Sequence, residues 1–253
     1  MSRVGRELFG PLGSGISDYG LIGLDDRILM GISGGKDSLF MAWALSDIRK
    51  RSPVKFSLEA ITINPGEPWE FPESGLDSIR QFLAGLDIPY HVIPTNIARI
   101  VTRHHGRKTE CSLCSNLRRG YLYKTASDLG VTKVALAHHL DDAIETLLLN
   151  MFYQGKFRCF RPKTFLSRRN VEVIRPMVYL EEERIARASS TLGLPVMSPT
   201  CSVTGTTCRQ SMKALVSGLS SGVPGLRTQM RNVLKAYWME AQAHTGDETP
   251  IIE

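Results

Sequence analysis

From Arg27 to Leu192, short apolar runs alternate with segments whose apolar residues recur every three or four positions. Arg27 to Ile32 (RILMGI) reads as a strand, and Leu39 to Arg51 as a helix that is almost wholly apolar at its start. Ser57 to Ile63 (SLEAITI) is a second strand, after which Leu76, Ile79, Phe82 and Leu83 fall at helical spacing. Tyr90 to Ile93 reads as a strand, Asn116 to Leu129 as a helix, and Thr132 to Ala137 (TKVALA) as a strand. Leu140 to Tyr153 is helical, Val171 to Ile174 a last strand, and Glu181 to Leu192 the helix after it. Strands that are apolar throughout are covered on both faces. The alternation therefore predicts an α/β fold, with a doubly wound, mostly parallel sheet and helices on both sides. Phe157 to Asn170 and Met197 to Thr207 are polar breaks, and Arg209 to Gln242 reads as two helices parted at Ser220 to Gly225. The expected organisation is an N-terminal segment 1–24, a core domain 25–200, and a C-terminal part 201–253 with a cysteine loop and a small helical appendage.

In sheets of this kind ligands bind beyond the carboxyl ends of the strands. That singles out the loops after Ile32, Ile63, Ile93 and Ala137. No stretch reaches the ~18 apolar residues of a membrane helix. MSRVGRELFGPLGSG lacks the apolar core of a signal peptide, so a cytoplasmic protein is expected. The net charge of +6 is uneven: residues 103–169 hold thirteen Lys/Arg against five Asp/Glu, a net of +8 that leaves −2 for the rest. A basic middle third suits a polyanionic partner, RNA or DNA. Five cysteines, an odd number, point away from a disulfide framework and towards metal or redox chemistry.

Gly31-Ile-Ser-Gly-Gly-Lys-Asp-Ser38 lies between a strand and a helix. Glycines let the backbone turn sharply and approach a phosphate. The helix that follows offers free N–H groups and the positive end of its dipole. Ile32, Ser33, Gly34, Gly35, Lys36, Asp37 and Ser38 are therefore candidate phosphate-binding residues. Asp37 beside a phosphate requires a cation between them, which suggests Mg2+. The string is neither a Walker loop nor G-x-G-x-x-G. Cys111-Ser-Leu-Cys114 is a C-x-x-C pair at a helix start, able to aim two sulfurs at one metal. Cys201 and Cys208 are candidates to complete it. A zinc site of these four, or one including His104 or His105, is an alternative reading of the same thiols.

The phosphate string resembles that of the PP-loop ATP pyrophosphatases, which cleave ATP between its α and β phosphates and adenylylate a carbonyl oxygen. The wider set is Thr109-Glu-Cys-Ser-Leu-Cys-Ser-Asn-Leu-Arg-Arg-Gly120, His138-His-Leu-Asp-Asp142 and Leu148-Leu-Asn-Met-Phe-Tyr-Gln-Gly155. Together these motifs resemble the tRNA 2-thiocytidine synthetase family from about Ile16 to Leu234. The resemblance implies an ATP- and Mg2+-dependent enzyme with a [4Fe-4S] cluster on three cysteines. One iron is then left open for exogenous sulfide from a cysteine desulfurase or from sulfide itself. Cys111 and Cys114 match the family's pair, and Cys201 is favoured over Cys208 as the third ligand. It further implies Lys36 and Asp37 at pyrophosphate and Mg2+, and Ile61, Thr62 and Ile63 against adenine. Ala137 and His138 are expected at the nucleotide. Asp141 or Asp142 would be catalytic, with the other capping the helix. Arg118 stands where related thiolases carry a catalytic lysine, and as an arginine would stabilise charge rather than act as a base. The implied partner is tRNA, modified at an anticodon-loop pyrimidine, and a homodimer fits the family. Lys156, Arg158, Arg161, Lys163, Arg168 and Arg169 read as a salt-sensitive tRNA contact. Arg227, Arg231 and Lys235 are a second such contact or a solvated face.

Overall fold

The computed structural model describes residues 3–104, 110–198, 200–201 and 208–243. Its strands are β1 (Asp26–Gly31), β2 (Phe56–Asn64), β3 (Tyr90–Pro94), β4 (Lys133–Ala135), β5 (Lys163–Leu166) and β6 (Val171–Ile174). They form one sheet in the order β3-β2-β1-β4-β6-β5. All neighbours are parallel except β5 with β6. The chain leaves β1 towards β2 and β3, then returns to its other side at β4. That reversal opens a crevice at the carboxyl ends of β1 and β4, where such sheets bind ligands.

Helices cover both faces. Ile28 and Met30 of β1 point into a core shared with α1 (Arg3–Asp18), α2 (Lys36–Arg51), α6 (Leu140–Gln154) and α7 (Glu182–Thr191). Leu29, between them, points into the opposite core with α4 (Ile97–Thr102) and α5 (Glu110–Asp128). All three side chains are fully buried, which is why this strand is apolar throughout. α3 (Glu73–Gly85) packs by Leu76, Ile79 and Leu83, the residues whose spacing marked it. α2 ends on Arg49, Lys50 and Arg51, cations suited to the negative end of its dipole.

β5 lies inside the stretch expected to be a polar break. It is a four-residue edge strand with Phe165 exposed, so it lacks the apolar run that marks a buried strand. The last two helices are α8 (Cys208–Gly222) and α9 (Leu226–Ala243). α9 belongs to the main core. Its Leu234 is fully buried, worth roughly 1.5–3 kcal/mol of transfer energy, and Trp238 Nε1 donates to the Phe160 carbonyl at 2.7 Å. Lys235 pairs with Asp18 of α1 at 2.6 Å. Among the described residues no helix is long and apolar enough to cross a membrane.

Candidate active site

The loop after β1 is held at its root and open at its tip. Ile32 N donates to the Ile61 carbonyl at 2.8 Å, keeping the loop on the sheet. Ser38 Oγ accepts from Ser33 N at 3.1 Å and donates to Gly35 O at 2.9 Å, closing the turn. Gly34 sits at φ +80°, a left-handed conformation that L side chains avoid. Gly35 is the N-cap of α2 and supplies no side-chain cap. The first N–H groups of α2 thus face the crevice as an anion site.

Thr62 does not line this crevice. Its Oγ1 donates to Ile32 O at 2.8 Å and accepts from Tyr90 OH at 2.7 Å, bracing the loop from behind. Ile61 and Ile63 flank it on β2 and point into the cavity, as a period of two requires. Ala137 also lies outside the cavity lining, whereas Leu136 is in it. His138 lines the cavity, with Nδ1 accepting from Arg175 Nε at 3.2 Å and its ring 5.0 Å from that of Phe160.

On the other side of the loop lies a charged cavity of about 260 Å³, lined by Asp37, His139, Asp142, Glu145 and Glu182, and by Arg209, Gln210 and Lys213 of α8. Lys36 Nζ stands 3.1 Å from Asp37 and 2.9 Å from Glu182 Oε1. Burial opposes the Lys36 charge, but its two carboxylate partners outweigh burial and raise its pKa. Burial likewise pushes the Glu182 carboxyl up. Hydrogen bonds from Lys213 and Lys36 overcome that and hold it at about 2. Its charge therefore stabilises the fold fully above the ordinary value of 4.5, and that contribution is lost as pH falls towards about 2. Thermal unfolding of Glu182→Gln against wild type should show a constant gap from about pH 5 to 7 that narrows below about 4.5. A gap independent of pH across that range would contradict the pairing. Asp37 Oδ1 is shielded from solvent, with the Lys36 ammonium 3.1 Å away and His139 Nε2 at 3.8 Å.

The two adjacent aspartates have different surroundings. Asp141 is nearly fully buried; Oδ2 accepts from Glu182 N at 2.7 Å and Oδ1 from Arg227 Nε at 2.8 Å. It ties the starts of α6, α7 and α9 together. Asp142 closes a capping box with His139: its Oδ2 accepts from His139 N at 3.0 Å, and Asp142 N donates to His139 Nδ1 at 3.4 Å. Asp142 also borders the charged cavity with Asp37, 3.3 Å from Arg209. Burial raises the Asp142 carboxyl, but His139, His138 and Arg209 outweigh it and lower its pKa.

Beyond Ser33 the crevice widens into a cavity of about 330 Å³. α5 begins at Glu110, six residues earlier than its apolar spacing suggests, so the whole C-x-x-C is helical. Cys111, Cys114 and Arg118, three and four residues apart, then share one helix face, and all three line the cavity. Cys201 lines it as well, from a segment fastened by Thr200 Oγ1 to the Trp69 carbonyl at 2.7 Å and by Met197 N to the Gly34 carbonyl at 2.9 Å. Burial raises the Cys111 thiol, and the neighbouring Cys201 and Glu110 add to it. Burial also raises Cys114; Arg118 works against that, while Cys201 and Cys111 reinforce it. Burial lowers the pKa of Arg118, opposed by Cys114 and Cys201. Among the described residues no three His, Cys, Asp or Glu side chains are drawn together as a single-ion site. Cys208 is exposed at the start of α8, outside the cavity and hydrogen-bonded with Tyr153. Cys159 is buried, with Sγ 3.3 Å from the Ala143 carbonyl. His104 is exposed and lines neither cavity; His105 lies outside the described residues. Trp69 lines the cavity and was not foreseen; the loop after β2 that carries it was already a place to look.

A family model described as a PP-loop domain matches residues 23–197. A tRNA-cytidine(32) 2-sulfurtransferase of Pelobacter propionicus is 38% identical over 232 residues, covering 90% of this chain and 85% of that protein. One of the same name from Polynucleobacter necessarius is 36% identical over 250 residues, covering 96% and 81%. Among solved structures, a U34-tRNA thiolase from Methanococcus maripaludis with its [4Fe-4S] cluster superposes with a TM-score of 0.72 over 96% of this chain and 80% of that one. At 22% identity this likeness speaks for the fold.

Proposed function

The chain belongs to the PP-loop family of tRNA-cytidine 2-sulfurtransferases, and from that premise we propose that it exchanges the C2 oxygen of an anticodon-loop cytidine for sulfur, consuming ATP. One observation carries the reading: Ser33 of the phosphate loop and the thiols of Cys111, Cys114 and Cys201 line the same cavity. An adenylylated base on the loop would meet sulfur there without leaving the site.

The residues have separable tasks. Backbone N–H groups from Ser33 to Ser38 and the Lys36 ammonium hold the phosphates, and the Ile61 and Ile63 side chains in the cavity face the adenine. Mg2+ fits between the Asp37 and Asp142 carboxylates, which line the same charged cavity. Arg118 remains a cation at neutral pH and stabilises charge developing on the α-phosphate. Three thiols lining one cavity, two from α5 and one from the Cys201 segment, form a soft donor set that suits an iron–sulfur cluster. When bound there, a [4Fe-4S] cluster supplies the sulfur chemistry of the exchange. Binding it also relieves the cost of ionising thiols raised by burial. Asp141, engaged by Glu182 N and Arg227, positions the helix starts, which leaves Asp142 as the aspartate that faces the phosphate side. The sulfur reaches the site from a cysteine desulfurase or as free sulfide.

Gly34 gives an independent check on the loop. A Cβ there would displace the flexible end of Met197, and the left-handed conformation is itself strained for alanine by about 1–2 kcal/mol. Calorimetric titration of Gly34→Ala should show ATP binding at least about tenfold weaker. Unchanged affinity would remove this loop from the nucleotide site. For the function itself, nucleosides from a strain lacking this chain should contain no 2-thiocytidine, and a plasmid copy should restore it. An undiminished 2-thiocytidine pool would overturn the assignment.

A further inference from the structure

We propose that the exposed aromatic end of α6, with the residues just after it, is a stacking surface for unpaired bases of the RNA. This rests on the reading of tRNA as substrate. Phe152 and Tyr153 are each 60% exposed, Phe157 is 54% exposed and Met151 40%. Four large apolar side chains left in water within seven residues point to a binding role. The surface is built rather than loose. Gly155, at φ +62°, ends α6 and turns the chain, and Lys156 N bonds the Asn150 carbonyl at 3.0 Å. Phe157 is held edge-on against Tyr237 of α9, with ring centroids 5.5 Å apart at 79°.

Charge selects the occupant. Lys156 is exposed beside these side chains, and between Glu145 and Glu172 the sequence holds six Lys/Arg and no Asp or Glu, of which Lys163 is paired with Glu172. A second copy of this chain, meeting the patch about a twofold axis, would set Lys156 and its neighbouring cations against themselves. A polyphosphate backbone neutralises them instead. Aromatic side chains among such cations are the arrangement that binds unpaired nucleotides, because every base offers a π-face. The surface lies at the far end of the fifteen-residue α6 from His139, about 12 Å along the helix from Glu145 of the charged cavity. It would therefore grip loop nucleotides other than the one being modified.

The test measures fluorescence anisotropy of an unmodified RNA anticodon stem-loop with the full chain. Phe152→Ala and Tyr153→Ala should each weaken binding roughly tenfold with an unchanged salt slope. Lys156→Ala should reduce the salt slope by about one. A fully paired RNA duplex should bind wild type and the aromatic variants alike. Stem-loop binding by both aromatic variants equal to wild type would overturn the proposal. So would light scattering that shows either variant converting a dimer to a monomer, since the patch would then belong to a second copy. Thiolation by wild type is scored separately. A wild type that thiolates, with aromatic variants that bind normally, refutes the stacking surface alone. A wild type that cannot thiolate refutes the function.

Discussion

Cys201→Ala is expected to lower 2-thiocytidine formation by at least about a hundredfold while ATP affinity stays within about twofold of wild type. The magnitude follows from ligation: loss of outer-shell partners of a metal site alone costs 10- to 100-fold, and a ligand is nearer than those. Cys201 lines the cavity with Cys111 and Cys114, while Cys208 lies outside it. Cys208→Ala should therefore keep both activity and iron. Iron and acid-labile sulfide, measured after purification without oxygen, should be about four each per chain in wild type and Cys208→Ala, as a [4Fe-4S] cluster requires. Both should fall sharply in Cys201→Ala. Loss of iron from Cys208→Ala but not from Cys201→Ala would reverse the assignment of the third ligand. One zinc per chain with no iron would reduce the thiols to a structural clip.

The second large effect is at the phosphate end. Asp37→Asn keeps the size of the side chain and removes its charge. In the protein as it stands, Asp37 shares a charged cavity with Asp142, a pair of carboxylates that suits a divalent cation. Metal stabilisation of a phosphoryl transition state is worth several kcal/mol, and each 1.4 kcal/mol is a factor of ten. Pyrophosphate release from ATP should fall by about a hundredfold or more in Asp37→Asn, with the Mg2+ concentration for half-maximal rate displaced upwards. Lys36 retains Glu182 as a partner, so the fold should persist, and a circular-dichroism melt would confirm it. A variant with the rate and Mg2+ dependence of wild type would take Asp37 out of the metal site.

What could be read in the sequence divides along the line between local and distant contacts. The phosphate loop was legible because its glycines, hydroxyls and cation are consecutive, from Gly31 to Ser38. The parallel sheet was legible because Ile28, Leu29 and Met30 face two different cores in turn and so had to be apolar in sequence. β5 was hidden, since an exposed edge strand pairs with β6 through backbone bonds that leave no apolar run. α4 is a six-residue helix, too short for its period to stand out. The start of α5 was placed late because Glu110 to Ser115 is mostly polar, yet that early start aligns Cys111, Cys114 and Arg118. The division of labour between Asp141 and Asp142 could not be read at all. It depends on Arg227, brought back by α9, and on Arg209 of α8. Arg227 and Lys235, read as an RNA contact or a solvated face, are ion-paired with Asp141 and Asp18.

ATP cleavage at the phosphate loop and sulfur insertion at the thiols beside it should be coupled steps of one reaction. The most direct measurement mixes the anaerobically purified chain with tRNA, ATP, Mg2+ and sulfide, and follows nucleosides by mass spectrometry alongside AMP. 2-Thiocytidine and AMP should appear together in a ratio of about one, with neither formed when tRNA is omitted. AMP and pyrophosphate released in the presence of tRNA, with no thionucleoside formed, would contradict this coupling.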